Sequence, residues 1–155
     1  FLFDGTVRDN IAYSNPDATQ SEIEGVAIAA RADEFIEELP EKYDTWIGER
    51  GVKLSVGQKQ RVAIARVLLK DPAVVIFDEA TSNIDTETEV KIREALEVLT
   101  QGRTTIVIAH RLSTLRQVDR ILVLNRGELV EDGRHTSLIE KEGLYRTLYE
   151  AQFTV

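Results

Sequence analysis

Two adjacent carboxylates stand at the end of an apolar run. Asp78 and Glu79 directly follow Val74–Phe77, and no basic residue occurs between positions 74 and 85. Burying two such charges is costly unless a partner compensates them. A hydrated magnesium ion and a water molecule would provide that compensation. The pair predicts either a site for metal and water or two acids that cap a helix or face solvent.

A hydroxyl group and a glycine precede a second amphipathic run. Ser55 and Gly57 lie in the stretch LSVGQ, and the sequence QKQRVAIARVLLK that begins at Gln58 has the period of a helix. Unpaired amides and the helix dipole at a helix N-terminus favour binding of a phosphate. The same pattern also fits an ordinary N-cap. From these residues alone, both interpretations stay open.

Two short apolar runs and the helix between them must position these groups. Residues 73–77 and 104–109 are predicted to be continuously buried strands. A capping box from Thr86 to Glu89 predicts a helix over about 87–99. Strand, helix and strand in this order indicate a parallel sheet with helices on its faces. Ligands bind at the carboxyl ends of such strands, where the acidic pair and His110 lie.

Helices and a hairpin account for most of the remaining chain. We expect a helical part over 1–71 and a second part over 72–155, which contains the strands. Further predicted elements are a helix over 20–31 that begins with a capping box from Thr19 to Glu22, a helix over about 112–118, a short acidic helix ending before Leu39-Pro40, a hairpin turning at Asn125–Gly127, and a helical tail over 137–152. The helix that begins near Gln58 is expected to stop at Asp71-Pro72.

Three aromatic residues and a histidine are interpreted as structural. Phe35, Tyr43 and Trp46 are expected to pack rather than to stack on a base. We expect His135 to belong to a turn before the C-terminal helix.

The composition restricts the class of protein. The 155 residues carry a formal charge of -8, which disfavours nucleic acid as a partner. There is no cysteine, so disulfides and thiolate metal sites are excluded. No apolar run reaches the roughly 20 residues of a membrane helix. Because the chain opens on FLFDGTV without methionine or a signal-like segment, we expect it to be a fragment of a longer polypeptide.

Four motifs in a fixed order resemble the ATP-binding cassette (ABC) family along nearly the whole chain. LSVGQ, Leu54–Gln58, resembles that family's signature loop, and VVIFDE resembles its Walker B strand. The stretch SNID, residues 82–85, is similar to the D-loop, and Ala109-His110-Arg111 is similar to the switch histidine segment. We keep the term signature loop for Leu54–Gln58.

The resemblance implies a fold and a set of site residues. The implied fold is a P-loop NTPase-like parallel sheet flanked by helices, with an α-helical signature subdomain. Asp78 would hold Mg²⁺, Glu79 would act as general base on the attacking water, and His110 would contact the γ-phosphate. The residues implied to bind ATP across a head-to-tail dimer, or to communicate across it, are Leu54, Ser55, Val56, Gly57, Gln58 and Asp85.

The opening segment and a loop at 45–51 resemble the exporter branch of the family. The implied function is ATP hydrolysis coupled to substrate transport across a membrane. The implied partners are ATP, a second nucleotide-binding domain, identical or different, and a transmembrane domain that contacts the loop near Glu49. The resemblance places the protein at the cytoplasmic face of a plasma or inner membrane.

One departure from the family concerns the Walker A loop. None of the nine glycines is followed by lysine, so that loop is absent from this sequence. We therefore expect the complete protein to be an ATPase and the isolated chain to be inactive. The alternatives are a soluble ATPase of the same superfamily and an inert module that supplies the signature loop to another chain.

Overall fold

The computed structural model describes residues 1–78, 85–109, 115 and 118–153. These residues form two compact units, Phe1–Val107 and Ile108–Val155. The predicted boundary between residues 71 and 72 stays a prediction, and the helix predicted over 112–118 falls almost entirely outside the described residues. No helix in the described part of the chain has the length and apolar composition of a membrane span.

The first unit is mainly helical and is organised around one long helix. Its α-helices are α1 Val7–Ala12, α2 Gln20–Ala29, α3 Asp33–Glu37, α4 Val56–Lys70 and α5 Thr86–Thr100, with 3₁₀ turns at Lys42–Asp44 and Glu49–Gly51. Helix α4 packs against α1, α2 and α5. Side chains from all four helices build the core, among them Ile11, Ala27, Val62 and Ile92.

Local signals explain where these helices begin and end. The predicted capping box is present at Thr19, whose hydroxyl accepts the Glu22 amide while the Glu22 carboxylate accepts the Thr19 amide. Helix α4 ends at Lys70, because Asp71 adopts a left-handed conformation with φ 49° and Pro72 follows it.

Arg66 of α4 fastens the beginning of the chain to this helix. Its guanidinium donates to the Asn10 carbonyl at 2.7 Å, to Asn10 Oδ1 at 2.8 Å and to the Phe1 carbonyl at 2.8 Å. The same group lies over the Phe3 and Tyr13 rings, 5.0 and 5.6 Å from their centroids. Burial lowers the pKa of Arg66. The hydrogen bonds compensate for the loss of solvation, so this one side chain joins the beginning of the chain to α4.

Trp46 does not pack in the core, contrary to the prediction. A bridge pairs it with Thr6, and the neighbouring Ile47 amide donates to the Gly5 carbonyl at 2.9 Å. Successive side chains of such extended backbone point to opposite sides. Ile47 therefore points inward at 0% exposure, while Trp46 points outward at 50%. Phe35 and Tyr43 are buried, as predicted.

Strands β1 Val74–Asp78 and β2 Thr104–Ile108 are neighbours in a parallel sheet. The predicted continuous burial is wrong. Val75 is buried, and Phe77 packs against the helical core, but Val74 and Ile76 are 52% and 64% exposed. Among the described residues only one face of β1 is covered. An apolar run does not by itself show whether one or both faces of a strand are buried.

The second unit contains a hairpin and two helices. Its elements are β3 Ile121–Asn125, β4 Glu128–Gly133, α6 His135–Ile139 and α7 Leu144–Phe153. Strands β3 and β4 pair antiparallel, as predicted. The turn residues Arg126 and Gly127 both have positive φ, 52° and 85°, which matches the twist of a tight hairpin.

His135 is the first residue of α6 and does not lie in a turn. The helix begins here because Arg134 adopts the extended N-cap conformation and its amide donates to Ser137 Oγ at 3.2 Å. His135 Nδ1 lies 2.8 Å from the Tyr145 hydroxyl, whose ring is buried in the core of this unit. The contact ties α6 to α7.

Candidate functional site

Seven of the nine predicted site residues lie in the described part of the chain, all in the first unit. The signature loop leads into α4, Asp85 precedes α5, and Asp78 ends β1. The predicted catalytic residues Glu79 and His110 lie outside the described residues, as do residues 82–84 of the predicted D-loop.

Ser55 and Gln58 cap α4 reciprocally. Ser55 Oγ accepts the Gln58 amide at 3.2 Å, and Gln58 Oε1 accepts the Ser55 amide at 2.9 Å. The interpretation of Ser55 as an N-cap is thereby confirmed. In this cap the hydroxyl oxygen serves only as an acceptor, so its hydrogen can still be donated to a ligand.

The first turn of α4 is open to an anion. Among the described residues, no acceptor faces the Val56 and Gly57 amides, which belong to the unpaired donors at every helix start. The first turn of α4 holds no acidic residue that would neutralise the positive end of the helix dipole. Ser55 is exposed and Val56 is 54% exposed, so this end faces solvent.

Leu54 and Gly57 hold the signature loop from beneath. Leu54 is 5% exposed and belongs to the core. Gly57 is buried against α5: a Cβ atom built on it would overlap Thr88 Cγ2 and would lie 3.7 Å from Ile92 Cδ1. Close approach of the two helices therefore requires glycine at position 57.

Arg61 is a functional candidate that the sequence analysis missed. It is 6% exposed, its Nη1 donates to the Arg31 carbonyl at 2.6 Å, and its guanidinium lies 4.9 Å from the Phe35 ring centroid. Burial lowers the pKa of Arg61, and nearby carboxylates, among them Asp85, oppose that shift. The chain thus places a buried cation one turn below the signature loop. Its partners Arg31 and Phe35 are distant in sequence, so the sequence around Arg61 does not predict this burial.

Asp85 caps α5. Its Oδ1 accepts the Thr88 amide at 2.9 Å, and hydrogen bonds from Thr88 lower the pKa of the Asp85 carboxyl. The prediction that Thr86 is the N-cap is therefore wrong, and the helix begins one residue earlier. Both residue types can cap, and in either register Glu87 and Glu89 lie in the first turn, where they complement the dipole.

Asp78 is an exposed carboxylate at the carboxyl end of β1. The neighbouring strand β2 ends at Ile108, two residues before His110. In the parts of the chain that the structure describes, His, Asp and Glu side chains nowhere gather in a group of three or more that could bind a metal ion. A single accessible carboxylate oxygen still suits Mg²⁺, which retains several waters and takes few protein ligands.

Comparison with known proteins gives one consistent result. A family model described as ABC transporter matches residues 2–82. An ATP-dependent lipid A-core flippase from Syntrophus aciditrophicus is 55% identical over 98% of this chain and 25% of its own length. A putative multidrug export ATP-binding/permease protein from Staphylococcus aureus is 52% identical over 97% of the chain and 26% of its own length. The chain spans about a quarter of the length of these relatives.

A solved structure extends the similarity to the fold. A bacterial Atm1-family ABC exporter with ATP bound superposes with a TM-score of 0.87 at 48% identity, over 97% of this chain and 26% of the other. The predicted fold class, a P-loop NTPase-like parallel sheet flanked by helices, is confirmed.

Proposed function

Because the chain belongs to the ABC transporter family, we propose that it is part of the ATP-binding and ATP-hydrolysing domain of an exporter. The observation that carries the proposal is the start of α4, where a hydroxyl, two unpaired amides and the absence of acids in the first turn suit a phosphate.

The signature loop would bind the terminal phosphates of an ATP held by a second nucleotide-binding domain. Ser55 would donate its hydroxyl hydrogen, and the Val56 and Gly57 amides would add partial positive charge. Gln58 would hold Ser55 in position through the capping box, and Leu54 would anchor the loop in the core. The second domain would be an identical or a different chain.

The end of β1 would supply the hydrolytic groups. Asp78 would bind Mg²⁺, which when bound neutralises charge on the phosphate oxygens. Glu79 would accept a proton from the attacking water as general base. His110 would donate a hydrogen bond to the γ-phosphate. Asp85, which caps α5, would communicate with the second domain.

The loop at 45–51 would contact the transmembrane domain. Its Trp46 is half exposed, and Val52 just beyond it is 73% exposed, so apolar surface is available for a partner beside Glu49. Backbone hydrogen bonds join Thr45 and Ile47 of this loop to residues 5 and 7. The names of the relatives, a flippase and a permease, support association with a membrane, and the chain would lie at its cytoplasmic face.

Replacement of Glu79 by glutamine in the complete protein tests the proposal. Glu79→Gln preserves shape but removes the base, so we expect ATP hydrolysis to fall by about a hundredfold or more while ATP binding persists. The matched control is Glu97→Gln on the exposed face of α5, which makes the same charge change without loss of activity.

Two results would contradict parts of the proposal. Near-normal turnover of Glu79→Gln would remove Glu79 from the role of general base. A complete protein that hydrolyses ATP but does not sediment with membranes would support the soluble ATPase. The isolated chain lacks a Gly-Lys pair, so we expect it to show no hydrolysis, as an inert module would.

A further inference from the structure

We propose that Thr88 is a positioning residue that fixes the signature loop to the start of α5, through a methyl contact with Gly57 and polar contacts with Asp85. The proposal rests on the proposed function, since the loop is taken to act on ATP. Thr88 would lie between Ser55, which would contact ATP, and Asp85, which would contact the second domain. Thr88 itself would contact neither ATP nor that domain.

The methyl side of Thr88 faces Gly57. The space that a Cβ at Gly57 would fill is already occupied by Thr88 Cγ2, and Thr88 Cβ lies 3.5 Å from the same point. Ile92, one turn further along α5, closes the contact at 3.7 Å. Gly57 has no positive φ in this structure, so its lack of a side chain serves packing rather than backbone conformation.

The amide and the hydroxyl of Thr88 interact with Asp85. The Thr88 amide donates to Asp85 Oδ1 at 2.9 Å, and its hydroxyl also interacts with that carboxylate. Threonine combines a methyl group and a hydroxyl on one stiff β-branched carbon. A displacement of Asp85 is therefore passed to Gly57 and so to Ser55, two residues before it.

Substitutions can separate the two sides of Thr88. Thr88→Ser removes the methyl group and keeps the hydroxyl, whereas Thr88→Val keeps the methyl and removes the hydroxyl. Gly57→Ala inserts a methyl group into the occupied space. Gly25→Ala in α2 is the matched control, because nothing lies within 4 Å of a Cβ at that glycine and it also lacks a positive φ.

The experiment measures ATP hydrolysis by the complete protein against ATP concentration, together with thermal unfolding of each variant. Misplacement by a fraction of an ångström is costly, so we expect Gly57→Ala to raise the half-saturating ATP concentration by about tenfold or more. Gly57→Ala combined with Thr88→Ser restores this value to within about threefold of the parent, because the added methyl group then replaces the lost one. Gly25→Ala leaves it unchanged.

Thr88→Val supplies a readout that simple packing would not move. Its volume and unfolding temperature stay close to those of the parent, and the amide of residue 88 still caps α5 through Asp85. We nevertheless expect the half-saturating ATP concentration to rise, because Asp85 loses its interaction with the hydroxyl. Unchanged hydrolysis in Thr88→Val, or failure of Thr88→Ser to rescue Gly57→Ala, overturns the positioning role. Either result with Glu79→Gln still inactive leaves the proposed function intact, whereas an active Glu79→Gln variant counts against the proposed function itself.

Discussion

Helices α4 and α5 each have 15 residues, and each begins at a predicted site residue, but their first turns differ in charge. Helix α4 starts with the neutral capping box of Ser55 and Gln58 and has no acid in its first turn. Helix α5 starts with the charged cap Asp85, followed by Glu87 and Glu89. One helix leaves its positive end open, and the other neutralises it with its own side chains.

The difference teaches which helix start can receive a phosphate. A dipole attracts an anion only where the chain has not already placed negative charge. The start of α4 meets this condition and the start of α5 does not. We therefore expect Ser55 to approach ATP directly, while Asp85 acts through Thr88 and through the partner domain.

The largest expected effect comes from a substitution in the core that both helix starts share. Ile92 is 1% exposed and lies beneath Gly57 and Thr88. Ile92→Ala should lower the free energy of unfolding by about 2–5 kcal/mol, because it removes buried methyl groups and leaves a cavity. Urea unfolding of the purified chain, followed by circular dichroism, measures this loss.

Val90→Ala is the matched control on the same helix. Val90 is 40% exposed, so its truncation should change the free energy of unfolding by only about 0.5 kcal/mol. Equal losses from both substitutions would show that Ile92 does not join the two helix starts.

A charge added to the open helix start tests the comparison directly. Val56→Asp places a carboxylate at the first residue of α4, where it should stabilise the helix by about 0.3–1 kcal/mol. It should also repel the phosphate and raise the half-saturating ATP concentration of the complete protein about tenfold, since like charges close together repel strongly near a protein surface. Hydrolysis assays and thermal unfolding measure the two effects.

Thr86→Asp makes the same change at the first residue of α5. Because that turn is already acidic, hydrolysis should respond little. If Thr86→Asp weakened ATP use as much as Val56→Asp does, the two helix starts would be equivalent, contrary to our expectation.

The smallest expected effect concerns pH. Hydrogen bonds from Thr88 lower the pKa of Asp85 below its ordinary 3.8, so the folded state favours the ionised carboxylate. The resulting stabilisation is fully present above the unfolded-state pKa and is lost as pH falls through the lower folded-state pKa. Asp85→Asn keeps a capping oxygen and should flatten the fall in stability below pH 3.8, as acid titration by circular dichroism can show. Ser55→Asn is the control at α4, where the cap is not a carboxylate, and it should leave the dependence of stability on pH unchanged. If Asp85→Asn showed the same dependence as the parent, the role of the Asp85 carboxylate would be contradicted.

Sequence patterns predicted those helix boundaries that depend on a few neighbouring residues. The capping box at Thr19, the N-cap at Ser55 and the stop at Asp71-Pro72 depend on neighbouring residues alone, and the structure places helix boundaries there. The predicted start of α5 was one residue late, because Asp85 and Thr86 can both cap and the path of the chain selects between them. Local sequence could narrow that choice but not settle it.

Long-range packing was not predictable in the same way. The role of Gly57 depends on Thr88, and the burial of Arg61 depends on the Arg31 carbonyl and the Phe35 ring. Nothing near Gly57 or Arg61 in sequence announces these partners. For the same reason, the apolar run of β1 did not reveal that Val74 and Ile76 lie on an uncovered face.

The attachment of Arg66 makes α4 the element that connects two distant parts of the chain. Three hydrogen bonds from one guanidinium clamp residues 1–13 to the later half of the helix, while Thr88 supports its opposite end beneath the signature loop. Because α4 runs without interruption from Val56 to Lys70, both attachments are made to one helix. The start of the chain and the start of α5 are therefore connected through a single element, which also carries Ser55 at its N-cap.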